Sequence, residues 1–289
     1  MVLKKLVIFG VGLIGGSVAL ALKKASFVTH IVGVGRSEKS LQDALRLGVI
    51  DAAETNIHAA CSGADLILIA APVAQTASIL RNIKPYLQAH TVITDAGSTK
   101  GDVLACAREI LGDQFKQFVG GHPIAGAEKS GVSAAKDDLF FGKNVVLTPA
   151  LQTNKDAVAG VVALWQKCGA KVSEMSAQEH DGIFAAVSHL PHLLAFALVD
   201  DIANRPNAAQ LFSFAASGFR DFTRIAGSHP EMWRDISLAN KSALLSEINA
   251  FENELIQLKQ LLKNEDGAGL QALFDRASVA RNNWANGKK

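Results

Sequence analysis

The hydrophobic pattern of the chain changes character part-way along. In the first half, short runs rich in Val, Ile and Leu alternate with stretches in which apolar residues recur every three or four positions. Continuous apolar runs are typical of strands buried on both faces of a parallel sheet, and the spaced pattern is typical of helices. The predicted strands are Leu6–Phe9, His30–Gly35, Leu66–Ala70, Thr91–Thr94, Phe118–Gly120, Asn144–Leu147 and Lys171–Glu174. This alternation predicts an α/β, Rossmann-like, doubly wound parallel sheet.

The strand pattern ends near Ser176, and the remainder is typical of helices separated by Pro and Gly. One long helix is predicted from Glu231 to about Lys263. Apolar residues along it, spaced three or four apart, form a stripe: Leu245, Ile248, Phe251, Leu255, Leu258 and Leu262. Such a stripe serves either core packing or a homodimer contact. We therefore predict a dinucleotide-binding domain over 1–175 and an all-α helical substrate-binding and dimerisation domain over 176–289.

Charge and cysteine content narrow the possible partners. The 289 residues carry 29 Lys plus Arg and 27 Asp plus Glu, a net charge of +2, which gives no basic footprint for nucleic acid or a membrane surface. Three scattered cysteines are too few for a disulfide framework and fit a reducing cytoplasm. The uncharged stretch from Leu6 to Leu22 has features of a signal peptide, but it contains four glycines and is short for a membrane span. Small molecules are therefore the expected partners.

A glycine-rich turn follows the first predicted strand and opens a helix. It contains Gly10, Gly12, Leu13, Ile14 and Gly15 in the arrangement G-x-G-x-x-G. The first glycine allows the tight turn, the second lets the backbone approach a pyrophosphate, and the third permits close helix–strand packing. The pattern predicts a dinucleotide cofactor whose phosphates bind the helix N-terminus.

The end of the second strand bears on the choice of cofactor. An Asp or Glu that binds the ribose of NAD is usual there, but this chain has Arg36 and Ser37. A guanidinium and a hydroxyl suit a 2′-phosphate, so NADP is favoured and NAD remains possible through backbone contacts. Ala71 and Pro72 follow a neighbouring strand and are expected to lie against the cofactor, because ligands bind beyond the carboxyl ends of parallel strands.

Two loops after later strands carry candidate chemistry. The first contains Ser98, which can hold an imidazole or a substrate hydroxyl, or else cap a helix. The second contains His122, which we expect on irregular backbone, where it can accept a proton near neutral pH. A histidine that only stabilises a turn is the alternative interpretation.

The helical half gathers three histidines within thirteen residues, His180, His189 and His192. Imidazole clusters bind zinc, but no Cys accompanies these and Pro191 is expected to break the helix that would space them. No metal is therefore predicted, and contacts to an anionic substrate are favoured. Further on, Arg220 and Arg224 offer guanidinium groups for a carboxylate, although an ion pair with Asp221 is also open.

Together these motifs resemble the prephenate and arogenate dehydrogenases, the cyclohexadienyl dehydrogenases of tyrosine biosynthesis. The similarity spans nearly the whole chain: GVGLIGGS from Gly10, DAGSTK from Asp95, GGHPIAGAE from Gly120, EHD and VSHLPH between Glu179 and His192, and GFRDFTRIAGSHPEMWRDI from Gly218. The ordered set is specific, whereas the glycine turn alone is not. Arg36 departs from the Asp of NAD-preferring members.

The resemblance implies an oxidative decarboxylation with hydride transfer to the nicotinamide. By motif position it implies that His122 is the base and that Ser98 contacts the hydroxyl or the imidazole. It also implies that Arg224 binds the substrate carboxylate. The remaining implied pocket residues are His192, His189, Ser188, Asp221, His180 and, at the entrance, Glu128. No regulatory domain is expected, so any inhibition by tyrosine is predicted to arise in the active site and to be competitive.

Two other functions remain open from the sequence. One is another two-domain Rossmann dehydrogenase of the 3-hydroxyacid type, which would need a lysine as proton-transfer group in the helical half. The other is a non-catalytic NADP-sensing module, since a fold does not give a function by itself. Such a module has no need of both His122 and Arg224.

Overall fold

A computed structural model describes residues 2–127 and 129–287, and the chain divides into two compact units, Met1–Lys241 and Ser242–Lys289. The first unit is built on an eight-stranded sheet with the order β3-β2-β1-β4-β5-β6-β7-β8. Its strands are β1 Leu3–Phe9, β2 Val28–Val34, β3 Ala52–Ala53, β4 Leu66–Ile69, β5 Val92–Asp95, β6 Phe118–Pro123, β7 Asn144–Thr148 and β8 Lys171–Glu174.

Helices connect the strands and continue into the second unit. They are α1 Leu13–Lys24, α2 Glu38–Arg46, α3 Ile57–Cys61, α4 Thr76–Ile83, α5 Gly101–Leu111, α6 Lys155–Lys167, α7 Ala177–Phe184, α8 Leu190–Ala203, α9 Ala208–Ser213, α10 Ser217–Thr223, α11 Pro230–Ala239, α12 Lys241–Lys263 and α13 Gly267–Asn286. The predicted Rossmann-like domain followed by a helical region is confirmed.

The central strands are buried on both faces, as their continuous apolar runs predict. Leu6 and Ile8 on β1 point into one apolar cluster, and Val7 and Phe9 point into the other. All four side chains are almost fully buried. Strands β1 to β6 pair in parallel, so their carboxyl ends share one edge of the sheet, where the glycine turn and the later loops lie.

The prediction of a parallel sheet is wrong at one edge. Strand β7 pairs antiparallel with β6, and β8 is parallel to β7. Among the described residues of the segment 124–143 between β6 and β7, the only helical element is a single turn of 3₁₀ helix, Val132–Ala134. A parallel crossover usually runs through a helix packed on the sheet, and the described residues of this connection contain no α-helix, so the chain doubles back here.

Two helix boundaries also differ from the sequence prediction. The helix predicted from Glu231 to Lys263 is divided into α11 and α12 at Asn240. Pro191 does not break its helix; it lies in the first turn of α8, where a missing N–H costs little. Between α7 and α8 the backbone forms a π-helical turn, Ala185–His189.

The helical run Ala177–Ala203, which joins α7, this turn and α8, is long and apolar enough to cross a membrane by length and composition alone. It nevertheless carries His180 and His189, which are buried and hydrogen-bonded within the first unit. Buried side chains that hydrogen-bond to other protein groups are typical of the interior of a folded domain. We therefore interpret the run Ala177–Ala203 as part of the folded first unit and not as a membrane span.

Candidate active site

The glycine turn has the backbone geometry that the sequence predicts. Gly10 has φ +94°, a conformation that favours glycine, and a Cβ on it would lie 2.6 Å from the carbonyl oxygen of Ala70. A Cβ on Gly15 would lie 2.3 Å from the carbonyl oxygen of Gly10. A Cβ on Gly12 would meet nothing within 4 Å. Only the middle glycine therefore opens onto space that a ligand can enter.

The N-terminus of α1 fits a dinucleotide pyrophosphate. Gly12 is its N-cap residue and provides no side-chain cap, and the first turn contains no acidic residue. The first N–H groups of a helix have no partner within the helix, and its N-terminus carries a partial positive charge. Leu13 and Ile14 begin this turn, so the backbone here offers donors to phosphate oxygens.

The other predicted cofactor residues lie around this turn. The Ala71 backbone nitrogen would be 2.9 Å from a Cβ on Gly10, which places it against the glycine turn. Pro72 follows it and precedes a 3₁₀ turn. Arg36 lies just past the end of β2 and is exposed. Ser37 caps α2, because its hydroxyl oxygen accepts a hydrogen bond from the Ser40 N–H at 3.2 Å.

His122 lies in a strand and not on irregular backbone, which corrects the sequence prediction. It is part of β6 and pairs with Val146 of β7. The antiparallel partner extends β6 beyond its predicted end at Gly120. A strand holds the backbone of His122 more firmly than a loop would, and its side chain is partly buried.

Three side chains form a hydrogen-bonded line that ends at His122. Nδ1 of His122 lies 2.8 Å from Nε2 of His180, and Nδ1 of His180 lies 2.8 Å from Oδ1 of Asp181. His180 is fully buried. The Phe184 ring packs beside both imidazoles, with centroid distances of 4.8 Å to His122 and 4.5 Å to His180. Both nitrogens of His180 are therefore occupied by protein partners.

The surroundings of His122 keep its imidazole neutral. Burial lowers the pKa of His122 well below 6.5, and the nearby His180, Lys100 and His189 lower that pKa further. A neutral imidazole has one nitrogen that can accept a proton. The electrostatics therefore suit a proton acceptor at neutral pH.

A buried ion pair supports the loop that contains Ser98. Lys100 and Asp95 are both almost fully buried and their side chains form a salt bridge. The Asp95 carboxylate also accepts hydrogen bonds from the Gly97 N–H at 2.8 Å and the Gly121 N–H at 3.0 Å. This pair joins the loop after β5 to the strand that carries His122. Ser98 lies between these anchors and does not cap α5, whose N-cap residue is Lys100.

The π-helical turn orients His189 and His192. His189 is buried and its Nδ1 lies 3.1 Å from Nδ2 of Asn240, which also donates to the Asp181 carbonyl at 2.8 Å. His192 donates from Nδ1 to the Ser188 carbonyl at 2.8 Å, and its ring stacks on Trp233 at a centroid distance of 3.6 Å. The second nitrogen of His189 is buried and has no hydrogen-bond partner among the described residues.

The remaining predicted site residues lie beside this cluster. Arg224 follows α10 and is close enough to His192 to lower its pKa, although burial is the larger cause. Asp221 is exposed on α10. Glu128, predicted at the pocket entrance, lies outside the described residues. No group of three or more His, Cys, Asp or Glu within 2–127 and 129–287 has an arrangement that could hold a metal ion.

Comparison with models of known protein families shows which family the chain belongs to. Residues 18–174 match the nucleotide-binding domain of prephenate dehydrogenase, and residues 176–276 match its dimerization domain. The chain belongs to the prephenate dehydrogenase family. Membership makes it an oxidoreductase that carries out oxidative decarboxylation in tyrosine biosynthesis. The family recognised from the sequence motifs is thereby confirmed.

Individual relatives extend over nearly the whole chain. The chain is 41% identical to a prephenate dehydrogenase of Bacillus subtilis over 94% of this chain and 74% of the relative. It is 33% identical to a cyclohexadienyl dehydrogenase of Zymomonas mobilis over 97% of this chain and 96% of the relative. The Aquifex aeolicus prephenate dehydrogenase, solved with hydroxyphenyl propionate and NAD+, superposes on this chain with a TM-score of 0.91. The two sequences are 39% identical, and the match covers 97% of this chain and 98% of the Aquifex chain.

Four residues that the sequence analysis did not single out contact the site histidines or the loop that contains Ser98: Asp181, Asn240, Lys100 and Trp233. Asp181 adjoins His180 in the EHD motif, so its position was a usable signal. Asn240 had none, because its partners are 51 and 59 residues away along the chain.

Proposed function

We propose that this enzyme oxidatively decarboxylates prephenate, arogenate or both, using His122 as the proton acceptor and NADP in preference to NAD. The line from Asp181 through His180 to His122 is the observation that carries the proposal. It leaves Nε2 of a neutral imidazole to accept a proton. The cyclohexadienyl, prephenate and arogenate dehydrogenases among the relatives and solved structures support the substrate class.

The roles of the side chains follow from the chemistry of the step. When bound, the nicotinamide accepts the hydride from the ring carbon that bears the hydroxyl. Nε2 of His122 takes the hydroxyl proton as the hydride leaves. Loss of CO2 supplies the electron pair that makes the ring aromatic, and the resulting phenolate oxygen takes the proton back from Nε2 of His122. Ser98 contacts the hydroxyl or the imidazole, from a loop fixed by the buried pair of Asp95 and Lys100.

Binding of the anionic substrate is assigned to the helical side of the site. Arg224 binds a substrate carboxylate, and its proximity to His192 supports placing both in one pocket. His189 has a buried nitrogen with no protein partner among the described residues, and it suits a substrate oxygen. Ser188 and Asp221 support the pocket, and Glu128 keeps its proposed role at the entrance. His180 positions His122 instead of contacting substrate, because both its nitrogens are occupied.

The preference for NADP rests on Arg36 and Ser37 at the end of β2, where an acidic residue would favour NAD. The Aquifex relative was solved with NAD+, so NAD remains the second candidate.

We also propose a homodimer through the helical region. The match to a dimerization domain supports it, as do the exposed apolar side chains of Leu245, Leu255 and Leu262 on α12. Three thiols without disulfides support a cytoplasmic location.

Steady-state assays of the purified enzyme test the function directly. Prephenate and arogenate are each offered with NADP and with NAD, and a 3-hydroxy acid serves as the control substrate. Formation of reduced cofactor with at least one cyclohexadienyl substrate, and none with the 3-hydroxy acid, is expected. Failure to turn over either cyclohexadienyl substrate with either cofactor contradicts the proposal.

A further inference from the structure

We infer that Asp181 and His180 are positioning residues that set which nitrogen of His122 carries its proton. The inference rests on the proposed function, in which His122 accepts the substrate proton. A histidine can act as this acceptor only through the nitrogen that faces the substrate, so its tautomer decides whether it works. The hydrogen-bonded line fixes that tautomer from its far end.

The line begins at a carboxylate whose hydrogen bonds are determined by the backbone. Oδ1 of Asp181 accepts from the Lys100 N–H at 2.9 Å, and Oδ2 accepts from the Gly101 N–H at 2.8 Å. Both donors lie at the N-terminus of α5, where an anion is stabilised. Burial would raise the pKa of Asp181, but His180 and these two N–H groups hold it below its ordinary value. Asp181 is therefore an ionised acceptor.

An ionised Asp181 determines the direction of every later hydrogen bond. Its Oδ1 can only accept, so Nδ1 of His180 must donate. Burial lowers the pKa of His180 although Asp181 opposes this, so the ring is neutral and its Nε2 is an acceptor. Nδ1 of His122 must then donate to that Nε2. The remaining nitrogen of His122, Nε2, carries no proton.

The position of Asp181 is fixed by a further contact. The side-chain amide of Asn240 donates to the Asp181 carbonyl at 2.8 Å, which ties the middle of α7 to the C-cap residue of α11. Phe184 packs against both imidazoles of the line, and His180 is fully buried. The fully buried imidazole of His180 therefore has protein partners at both of its nitrogens.

Two substitutions of His180 separate this role from simple packing. Gln in His180→Gln can accept from Nδ1 of His122 with its amide oxygen and donate to Asp181 with its amide nitrogen. Leu in His180→Leu fills buried space but offers no acceptor. We expect His180→Leu to lower kcat at least tenfold with little change in KM, and His180→Gln to recover most of the loss. Equal losses in the two variants would overturn the inference.

The tautomer itself can be measured without turnover. The ¹⁵N NMR spectrum of histidine-labelled enzyme at neutral pH, with His122 assigned through His122→Asn, should show Nδ1 protonated and Nε2 bare. His180→Gln should keep this pattern, and His180→Leu should lose it. The inference is overturned if Nε2 of His122 is protonated in the wild type, or if His180→Leu leaves the pattern unchanged. Because this readout needs no catalysis, it is independent of whether His122→Asn abolishes activity, which tests the proposed function.

The contribution of Asp181 is measured by Asp181→Asn in two backgrounds. In the wild-type background the neutral Asn amide no longer fixes Nδ1 of His180 as the donor. The tautomer of His122 is then less well defined, and kcat should fall about tenfold or more. In the His180→Gln background the loss should be much smaller, because Gln cannot change tautomer. A loss of the same size in both backgrounds would show that Asp181 only stabilises the fold.

Discussion

Nδ1 of His122, on a strand of the sheet, lies 2.8 Å from Nε2 of His180, on a helix that begins just after the last strand. The two residues are 58 positions apart in the chain. The contact joins the nucleotide-binding part of the first unit to the helical run that carries the other site histidines. The proton acceptor proposed here is therefore held by residues from both parts of the sequence.

Replacing Arg224 by Ala should chiefly raise KM for the cyclohexadienyl substrate. The carboxylate that Arg224 is proposed to bind is charged in both ground and transition states, so uniform binding is lost and kcat changes little. Arg220→Ala, an exposed arginine on α10, is the matched control and should leave both constants near the wild-type values. A large fall in kcat with unchanged KM for Arg224→Ala would assign this residue to the chemical step instead.

Replacing Arg36 by Ala should lower kcat/KM for NADP by about tenfold or more. A charge-assisted hydrogen bond is worth about 1.5–3 kcal/mol, and the 2′-phosphate is absent from NAD, which should be much less affected. Arg46→Ala provides the control, because this exposed arginine pairs with Asp43 on the same helix. Equal losses for NADP and NAD would remove the role assigned to Arg36.

Protein stability should depend on pH through His189. Burial lowers the pKa of His189 from 6.5 to about 4 in the folded protein. Between these values the unfolded chain binds a proton that the folded chain does not, so the free energy of unfolding falls as the pH falls. His189→Asn, which keeps an acceptor for Asn240, should reduce that slope by about 1.4 kcal/mol per pH unit.

Denaturant unfolding of both proteins at several pH values between 4 and 6.5 measures this difference. Above pH ~7 the wild type and the variant should respond to pH alike, since His189 is then neutral in both states. Identical slopes between pH 4 and 6.5 would mean that His189 binds a proton as readily in the folded protein as in the unfolded chain.

Introducing charge on α12 should dissociate the proposed homodimer. Leu255 and Leu262 are 48% and 61% exposed in the single chain, so Glu at both positions costs the fold of one chain little. Buried at a subunit interface, the same two charges would be strongly unfavourable. Sedimentation should show monomers for the double variant and dimers for Gln257→Glu, which adds charge at an exposed polar position. A monomeric, active wild type would contradict the proposal.

The sequence predicted the parts of the fold that local chemistry determines. Gly10 and Gly15 are required by backbone contacts, and the continuous apolar runs are required by burial on two faces. The antiparallel β7 was missed because pairing direction depends on the connection 124–143 and not on strand composition. The break at Asn240 was missed because no Pro or Gly marks it; its side chain instead bonds to Asp181 and His189, which are distant in sequence.

The same distinction holds within the site. His122 was identified because a histidine between Gly121 and Pro123 stands out locally, although its backbone is a strand. His180 was expected among the pocket residues; the positioning role proposed for it rests on hydrogen-bond partners that only the fold brings together. Pro191 was expected to end a helix, whereas the preceding π-helical turn lets the helix continue.

The kinetics of His122→Asn test the central claim most directly. With saturating cofactor, kcat for the cyclohexadienyl substrate should fall about 10²–10⁴-fold while KM changes modestly, because Asn cannot accept the hydroxyl proton. Wild-type kcat/KM should hold as the pH falls past 6.5 and be lost only as it passes through the lowered pKa of His122. A variant that keeps wild-type kcat, with the same pH profile, would show that another group is the base.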